Sequence, residues 1–213
     1  MANMDRIFSP SYVPSHQDII NARVRTTGIS KEVYHFDEHI YHVFDVGGER
    51  SERKKWIHVF EKADIVLFQV ALGAYDRRLS EDHHANQLAE SLMVFETFIN
   101  SPWFTKSTVL LNFTKADIFE QKIKLGLTMP PEDGFSYEGD PTDVLAVRGM
   151  ITKKFTEVNR NRKKLIVSYM DARDTEQARK LLEGVHACAR DRVDHSGVDT
   201  DVEGNGIRSA STS

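Results

Sequence analysis

The segment Asp45-Val46-Gly47-Gly48-Glu49 constrains this chain most, because it closes an apolar run and opens a charged stretch. An aspartate at a strand end can hold a magnesium ion through water, and a glycine pair after it lets backbone N–H groups approach a phosphate closely. Upstream lies Arg23-Val24-Arg25-Thr26-Thr27-Gly28, in which a threonine hydroxyl can complete a metal shell and an arginine can neutralise a phosphoryl group. An isolated Asp-x-Gly-Gly segment is most often a plain tight turn. The two segments in this order favour a phosphate site.

Length and composition predict one α/β domain from a reducing compartment. The chain has 213 residues, of which 40% are hydrophobic, and a net charge of −4. That length suits a single core-bearing domain, and the near-neutral charge gives no indication of nucleic-acid binding. The one cysteine, Cys188, excludes an internal disulfide. The sequence contains no apolar run long enough for a membrane span and no secretory signal, so we expect a cytoplasmic protein.

The hydrophobic pattern predicts a pair of strands followed by alternating strands and helices. Strands are expected at 33–36, 40–44, 65–72, 109–113 and 165–169. Helices are expected at 51–62, 80–99, 142–155 and 176–190, the second of them with Ser80 as its N-cap. The prolines and glycines of 126–140 predict a loop, and the polar composition of 194–213 predicts a disordered tail.

These motifs together make the chain similar to the α subunits of heterotrimeric G proteins. The resemblance runs from about residue 5 to about residue 192. Arg23 to Gly28 matches switch I, and the long stretch FDVGGERSERKKWIHVF, from Phe44 to Phe60, matches switch II. Further matches are Pro14 to Asp18, Val70-Ala71-Leu72, Trp103-Phe104, Thr114-Lys115-Ala116-Asp117 and Asp174-Thr175. The resemblance implies an α/β fold, a partial Ras-like P-loop GTPase domain with a mostly parallel sheet flanked by helices.

The resemblance also implies GTP or GDP with Mg²⁺ as the cofactors. Catalytic roles fall on Arg23, which would neutralise charge on the transferring phosphoryl group, and on Glu49, which takes the place of the family's water-orienting glutamine. Thr26 and Asp45 are implied as magnesium ligands. The implied nucleotide contacts are Ile20, Asn21, Arg23, Arg25, Thr26, Asp45, Gly47, Gly48, Glu49, Thr114, Lys115, Asp117 and Ala172.

Departures from the family pattern predict that nucleotide binding and hydrolysis are weak or lost. The family's P-loop has the form G-x-x-x-x-G-K-[ST], and no Gly-Lys pair occurs in these 213 residues. Its N–H donors and lysine would make charge-assisted hydrogen bonds of about 1.5–3 kcal/mol each. Glu49 would place a carboxylate near a γ-phosphate, which electrostatics oppose, although an acidic residue also suits the start of a helix.

The guanine-recognition segments are altered as well. Thr114 replaces the asparagine of the family's Asn-Lys-x-Asp motif, and its hydroxyl cannot reproduce the paired donor and acceptor of an amide. Asp117 keeps the two acceptors that would face the guanine N1–H and 2-amino group. In the last guanine loop, Ala172 keeps the position whose backbone N–H would reach the guanine oxygen, while Asp171 adds a charge that the sequence does not explain.

The absent P-loop shapes the expected domain organisation. Residues 1–20 resemble the end of the family's helical domain and its linker, 21–193 the C-terminal part of the Ras-like domain, and 194–213 the polar tail. The central first strand of the Ras-like sheet is missing from this pattern. The strands at 40–44 and 65–72 should therefore border a vacancy, and would either pair directly or leave unpaired edges that promote aggregation.

A basic face on the switch II segment fits partner binding. Arg50, Arg53, Lys54 and Lys55 flank Trp56. A solvated face is the default for such a run, but Trp and Arg are also enriched at interfaces. By resemblance, this segment meets the βγ dimer and effectors, which would bring the protein to the cytoplasmic face of the plasma membrane. Polar residues stand where the family has an apolar receptor-coupling tip, so receptor coupling is not expected.

Three functions stay open at this point. The chain can be a GTP-binding and GTP-hydrolysing signal transducer. It can instead be a pseudo-GTPase that binds partners through its switch II surface, or a gene fragment whose P-loop is encoded upstream.

Overall fold

The computed structural model describes residues 3–22, 24–60, 63–129 and 134–196, with side chains as far as residue 192. The chain forms two compact units, Met1–Ala63 and Asp64–Ser213. Every helix in the described residues is too short or too polar to cross a bilayer.

The first unit is built on a β-hairpin, as the alternating pattern predicts. Strands β1 (Ile29–Phe36) and β2 (His39–Val46) pair antiparallel, with Val33 opposite His42. Both strands are longer than expected, because the pairing extends before Val33 in β1 and beyond both ends of the expected segment in β2. Many of their apolar side chains are exposed, among them Val33, Tyr34, Phe36, Ile40, Val43 and Phe44. β2 has no second strand partner among the described residues.

Two short helices precede the hairpin, α1 (Met4–Ile7) and α2 (His16–Asn21). Arg6 joins them through two parallel contacts of 2.7 Å to the carboxylate of Asp18. The same carboxylate accepts the backbone N–H of Ser15, which completes a capping box at the start of α2. These charged contacts hold the pKa of Asp18 well below its usual range, with the Arg6 guanidinium as the first cause.

The helical part of switch II, which follows the hairpin, begins later than the sequence pattern predicts. A 3₁₀ turn, Arg53–Trp56, leads directly into the short helix α3 (Ile57–Phe60), and residues 61–62 lie outside the described residues. The expected helix from 51 was therefore wrong in its first turn. The backbone here forms i→i+3 bonds, from the Glu52 N–H to Glu49 and from the Lys55 N–H to Glu52. The Glu52 and Trp56 side chains bond to Gly28 and Gly47, which holds this tighter turn in place.

The second unit is an α/β layer structure, which confirms the α/β class. Strands β3 (Ile65–Ala71), β4 (Thr108–Thr114) and β5 (Leu165–Met170) form a parallel sheet with β4 in the middle. All seven residues of β4 are buried, as expected for a central strand covered on both faces. The helices are α4 (Gln87–Ile99), α5 (Ala116–Lys124), α6 (Val144–Glu157) and α7 (Thr175–Ser196). β3 has no strand partner other than β4 in the described part of the chain.

An aromatic cluster anchors α4 and α6 to one face of this sheet. The Phe113 ring lies 5.3 Å from Phe155, which lies 5.7 Å from Phe95. Phe68 on β3 completes the cluster, with its ring 5.0 Å from that of Phe95. The cluster therefore joins β3 and β4 to α4 and α6 in one core.

Three expectations for the helices of this unit need correction. The N-cap of α4 is Asn86 and not Ser80, because the Asn86 side chain accepts the N–H groups of Leu88 and Ala89 and also donates to the carbonyl of Tyr75. Helix α5 was not predicted, although Phe119 and Ile123 are four residues apart and both are buried. Helix α7 also extends past the expected tail boundary at residue 194, while 197–213 lie outside the described residues.

Candidate functional site

The glycine turn after β2 is packed from within the chain. The Gly47 N–H donates to the carbonyl of Gly28 at 3.2 Å. A Cβ on Gly47 would lie 2.8 Å from Cγ of Glu52 and 2.9 Å from the carbonyl oxygen of Thr26. A Cβ on Gly48 would meet no atom within 4 Å. Gly47 is therefore required by the packing of the turn itself, whereas Gly48 is not.

Glu52 organises this turn, a role that the sequence pattern does not reveal. Its Oε2 accepts the backbone N–H of Gly28 and the ammonium of Lys55, each at 2.6 Å. Gly28 takes a positive φ of 75°, a conformation that suits glycine. Lys55 first, and then the Gly28 N–H, hold the pKa of Glu52 below its ordinary value. The one available signal was an acidic residue inside a basic run.

Two of the residues expected to bind partners also hold the glycine turn. The Trp56 indole N–H donates to the carbonyl of Gly47 at 2.8 Å, and Nε of Arg53 donates to the carbonyl of Gly48 at 3.1 Å. The Trp56 ring also lies 6.1 Å from that of Phe60. These contacts give switch II a defined conformation that depends on groups of this chain.

The remaining basic residues of the segment face solvent. Arg50 and Lys54 are exposed, and Lys55 keeps 46% of its side chain exposed beside Glu52. An exposed basic surface therefore borders the internally bonded turn.

Glu49 has a cationic partner from the switch I segment. Nη2 of Arg25 lies 2.5 Å from Oε2 of Glu49, with 58% and 27% of the two side chains exposed. The ion pair neutralises the carboxylate that stands in place of the family's glutamine. The ion pair also engages Arg25, which is one of the expected nucleotide contacts.

The expected magnesium ligands offer oxygen atoms but no enclosed cage. Thr26 and Asp45 are both exposed, and the Thr26 carbonyl lies against Gly47, two residues after Asp45. Among the described residues, no group of three or more His, Cys, Asp or Glu side chains is arranged to hold a metal ion. Mg²⁺ usually keeps several waters and binds through one or two protein oxygens plus phosphates. Oxygen donors of this type are compatible with a magnesium ion that completes its shell with waters and phosphate oxygens.

Three expected contacts add little to this geometry. Arg23, the expected catalytic arginine, lies outside the described residues. Ile20 and Asn21 end helix α2 and are exposed, and the Asn21 amide oxygen accepts from Gln17 at 3.4 Å.

In the second unit, the residues after β4 form the first expected guanine loop. The buried hydroxyl of Thr114 donates to the carbonyl of Val70 at 3.4 Å, so it points into the sheet. Lys115 follows in the left-handed conformation, with φ of 56°, and precedes α5. A Cβ on Gly73 would lie 2.9 Å from the Lys115 carbonyl, which makes Gly73 necessary for this close approach.

Asp117, in the first turn of α5, is bound to the second expected guanine loop by an arginine. Nη2 of Arg173 donates to Oδ2 of Asp117 at 2.6 Å. Asp171 holds the same guanidinium through Nε at 2.9 Å and Nη2 at 2.8 Å, which explains the extra charge noted in the sequence. Ala172 lies exposed between them. Nothing in the sequence indicates this contact, because Asp117 and Arg173 are 56 residues apart and meet only in the fold.

Comparison with known proteins bears on these segments. The family model described as "G-protein alpha subunit" matches residues 1–188. The chain belongs to the G-protein α-subunit family. It is similar to the guanine nucleotide-binding protein alpha-2 subunits of Mycosarcoma maydis and Neurospora crassa, at 43% identity over 81% and 82% of this chain. It is also similar to the alpha-1 subunit of Schizosaccharomyces pombe, at 47% identity over 58% of the chain.

These relatives are much longer than the chain. The two alpha-2 subunits are matched over 48% and 49% of their length, so the chain spans about half of each. Membership of the G-protein α-subunit family confirms the resemblance drawn from switch I and switch II. It also implies the Ras-like fold, with which the parallel sheet and flanking helices of the second unit are consistent.

Proposed function

We propose that this chain is a G-protein α-like signal transducer that acts through its switch II surface, with weak or lost GTP binding and hydrolysis. The observation that carries the proposal is the set of contacts that switch II makes within itself and with Gly28 of switch I. Glu52, Arg53 and Trp56 hold the glycine turn from inside the chain. Because these contacts come from the chain itself, a binding surface on this turn would be ordered without a γ-phosphate.

Weak guanine nucleotide binding is proposed because several of the expected nucleotide contacts are already bonded to other groups of the chain. Arg25 is paired with Glu49, Thr114 bonds into the sheet, and Asp117 is paired with Arg173. Without a Gly-Lys pair, the 213 residues also supply no lysine of the P-loop type. When bound, Mg²⁺ would neutralise phosphate charge, with Thr26 and Asp45 as its protein ligands.

Partner binding is proposed for the exposed basic surface of switch II. Arg50, Lys54 and Lys55 offer charge, and Trp56 offers an aromatic anchor beside them. The proposed partners are the βγ dimer and effectors, which would place the protein in the cytoplasm and at the cytoplasmic face of the plasma membrane. Receptor coupling is not part of the proposal.

The domain organisation proposed for this function keeps the division expected from the sequence. Residues 1–20 would be a remnant of the helical domain and linker, 21–193 the C-terminal part of a Ras-like domain, and 194–213 a polar tail. Within these 213 residues, the sheet would not include the family's central first strand. The free edges of β2 and β3 among the described residues support this view.

Nucleotide titration tests the first half of the proposal. A fluorescent GTP analogue with magnesium should bind no more tightly than micromolar, and phosphate release should stay at the uncatalysed rate. Sub-micromolar binding with turnover would contradict the proposal and favour an active GTPase.

Partner capture tests the second half. Immobilised chain should retain a purified βγ dimer without added nucleotide, and the double variant Arg50→Ala/Lys54→Ala should reduce retention. The matched control is Lys124→Ala/Lys153→Ala, which removes exposed lysines from α5 and α6. Equal retention by the two double variants would argue against the switch II surface.

The gene-fragment alternative needs a different experiment. Sequencing the transcript upstream of the Met1 codon would reveal an in-frame Gly-Lys-containing P-loop if one is encoded there. Its presence would favour an active GTPase, and a stop codon in frame would favour the pseudo-GTPase.

A further inference from the structure

We propose that Arg173 determines the base selectivity of this chain by competing with a guanine base for the carboxylate of Asp117. The inference rests on the proposed guanine nucleotide binding and names the residue that weakens recognition of the base. Its basis is the arrangement of Asp117, Arg173 and Asp171 in the second unit.

Arg173 is fixed on Asp117 by more than a single exposed ion pair. Its Nη2 lies 2.6 Å from Oδ2 of Asp117. Its Nε and Nη2 also contact the two oxygens of Asp171 at 2.9 and 2.8 Å, and its backbone N–H donates to Oδ1 of Asp171 at 2.9 Å. Asp171 therefore positions the guanidinium. The loop between β5 and α7, which carries both residues, places Arg173 against Asp117 on α5.

The other oxygen of Asp117 is enclosed without a partner. Oδ1 has almost no accessible surface and no hydrogen-bond partner within the described residues. A buried acceptor that lacks a donor destabilises the arrangement that leaves it so. With Oδ2 on Arg173 and Oδ1 enclosed, neither oxygen is presented to a ligand.

This arrangement predicts which ligands are affected. A guanine edge carries two adjacent donors, N1–H and the 2-amino group, which can satisfy both oxygens of a carboxylate once Arg173 moves away. An adenine edge lacks that pair of donors. Arg173 should therefore lower the affinity for guanine nucleotides and leave the affinity for adenine nucleotides with the same phosphates unchanged.

The experiment compares GDP with ADP for the whole chain and its Arg173→Ala variant, by ligand-observed NMR at up to millimolar nucleotide with magnesium. We expect the wild-type protein to bind GDP and ADP with similar affinity. Arg173→Ala should bind GDP about fivefold more tightly, as expected for removal of a competing ion pair of about 1 kcal/mol. ADP affinity should not change.

Further variants keep the result interpretable. Asp171→Asn retains Arg173 but weakens its positioning, and should raise the GDP-to-ADP preference in the same direction. Arg179→Ala removes a nearby arginine that pairs with Glu176 and should leave the preference unchanged. Circular dichroism confirms that each variant is folded.

The outcomes separate this inference from the proposed function. An unchanged GDP-to-ADP ratio in both Arg173→Ala and Asp171→Asn, or binding of neither nucleotide by any variant, would overturn the role of Arg173. A wild-type protein that already prefers GDP tenfold would overturn it too. Sub-micromolar GTP binding with turnover would instead overturn the proposed function, whatever the ratio.

Discussion

Arg25 and Glu49 form an ion pair across the two segments that the sequence marks as switch I and switch II, with 2.5 Å between Nη2 and Oε2. A carboxylate beside a γ-phosphate would be unfavourable, but a carboxylate beside a guanidinium is not. Because both side chains are partly exposed, the pair contributes only about 0–1 kcal/mol to stability. The main consequence of the pair is that the Arg25 guanidinium and the Glu49 carboxylate bind each other and not a ligand.

Restoring glutamine at position 49 should therefore not restore hydrolysis. Glu49→Gln removes the negative charge and releases Arg25, but it supplies no lysine or glycine-rich loop for the phosphates. We expect phosphate release from GTP to stay at the uncatalysed rate for the variant, as for the wild-type chain. A turnover clearly above that rate in Glu49→Gln alone would show that position 49 is the limiting defect.

The two glycines of the turn should respond differently to alanine. Gly47→Ala forces a Cβ against Glu52 and the Thr26 carbonyl, at 2.8 to 2.9 Å, and should destabilise the first unit by about 1–3 kcal/mol. Gly48→Ala is the matched control, because its Cβ would enter open space. Urea unfolding followed by Trp56 fluorescence, in a Trp103→Phe background, measures both. Equal losses would mean that packing does not distinguish the two positions.

The stability of the first unit should depend on acid through Glu52. The pKa of this carboxyl is lowered below its ordinary 4.5 by Lys55 and the Gly28 N–H. A lowered pKa stabilises the fold above the unfolded-state value, and that contribution is lost as the pH falls through the folded-state value. Glu52→Gln should therefore lower the urea midpoint at pH 7. The difference from wild type should shrink below about pH 4.5, and a constant difference from pH 7 to pH 3 would contradict it.

The cap of α4 gives a test in the second unit. Asn86→Ala removes the Oδ1 that accepts the Leu88 and Ala89 N–H groups, and also the donor to the buried carbonyl of Tyr75, so it should cost about 2 kcal/mol. Ser80→Ala, at the position favoured by the sequence, should change stability by less than about 0.5 kcal/mol because the side chain is exposed. Urea unfolding followed by circular dichroism measures both variants. A larger loss for Ser80→Ala than for Asn86→Ala would favour Ser80 as the N-cap of α4.

The contrast between these two positions shows what the sequence could predict. Buried strands such as β4 were recognisable because continuous apolar runs have few alternative structures. Ser80 and Asn86 are both good cap residues, and only the carbonyl of Tyr75, brought close by folding, distinguishes them. The glycine turn was recognisable for a different reason, because a glycine pair directly after an apolar run favours a tight turn. The contacts of Glu52 with Gly28 and of Arg173 with Asp117 were not, because each joins residues that are distant in the sequence.

The β-hairpin of the first unit should make the protein prone to association. Val33 on one face and Val43 on the other are each 46% exposed, and several aromatic neighbours are exposed with them. A two-stranded sheet with free edges and apolar faces is a template for pairing with other chains. Light scattering should therefore show association that rises with concentration. We expect Val33→Lys/Val43→Lys to suppress it, by adding charge to both faces.

The control for this effect is an exposed apolar residue outside the hairpin. Leu145 on α6 is 67% exposed but stands on a helix whose backbone groups are bonded internally, so Leu145→Lys should leave association unchanged. Equal suppression by the helix variant would indicate general solubility and not strand pairing. A wild-type chain that stays monomeric and unfolds cooperatively at about 45–65 °C would show that the hairpin is stable without a partner. In that case the exposed strand edges would not cause the isolated protein to associate.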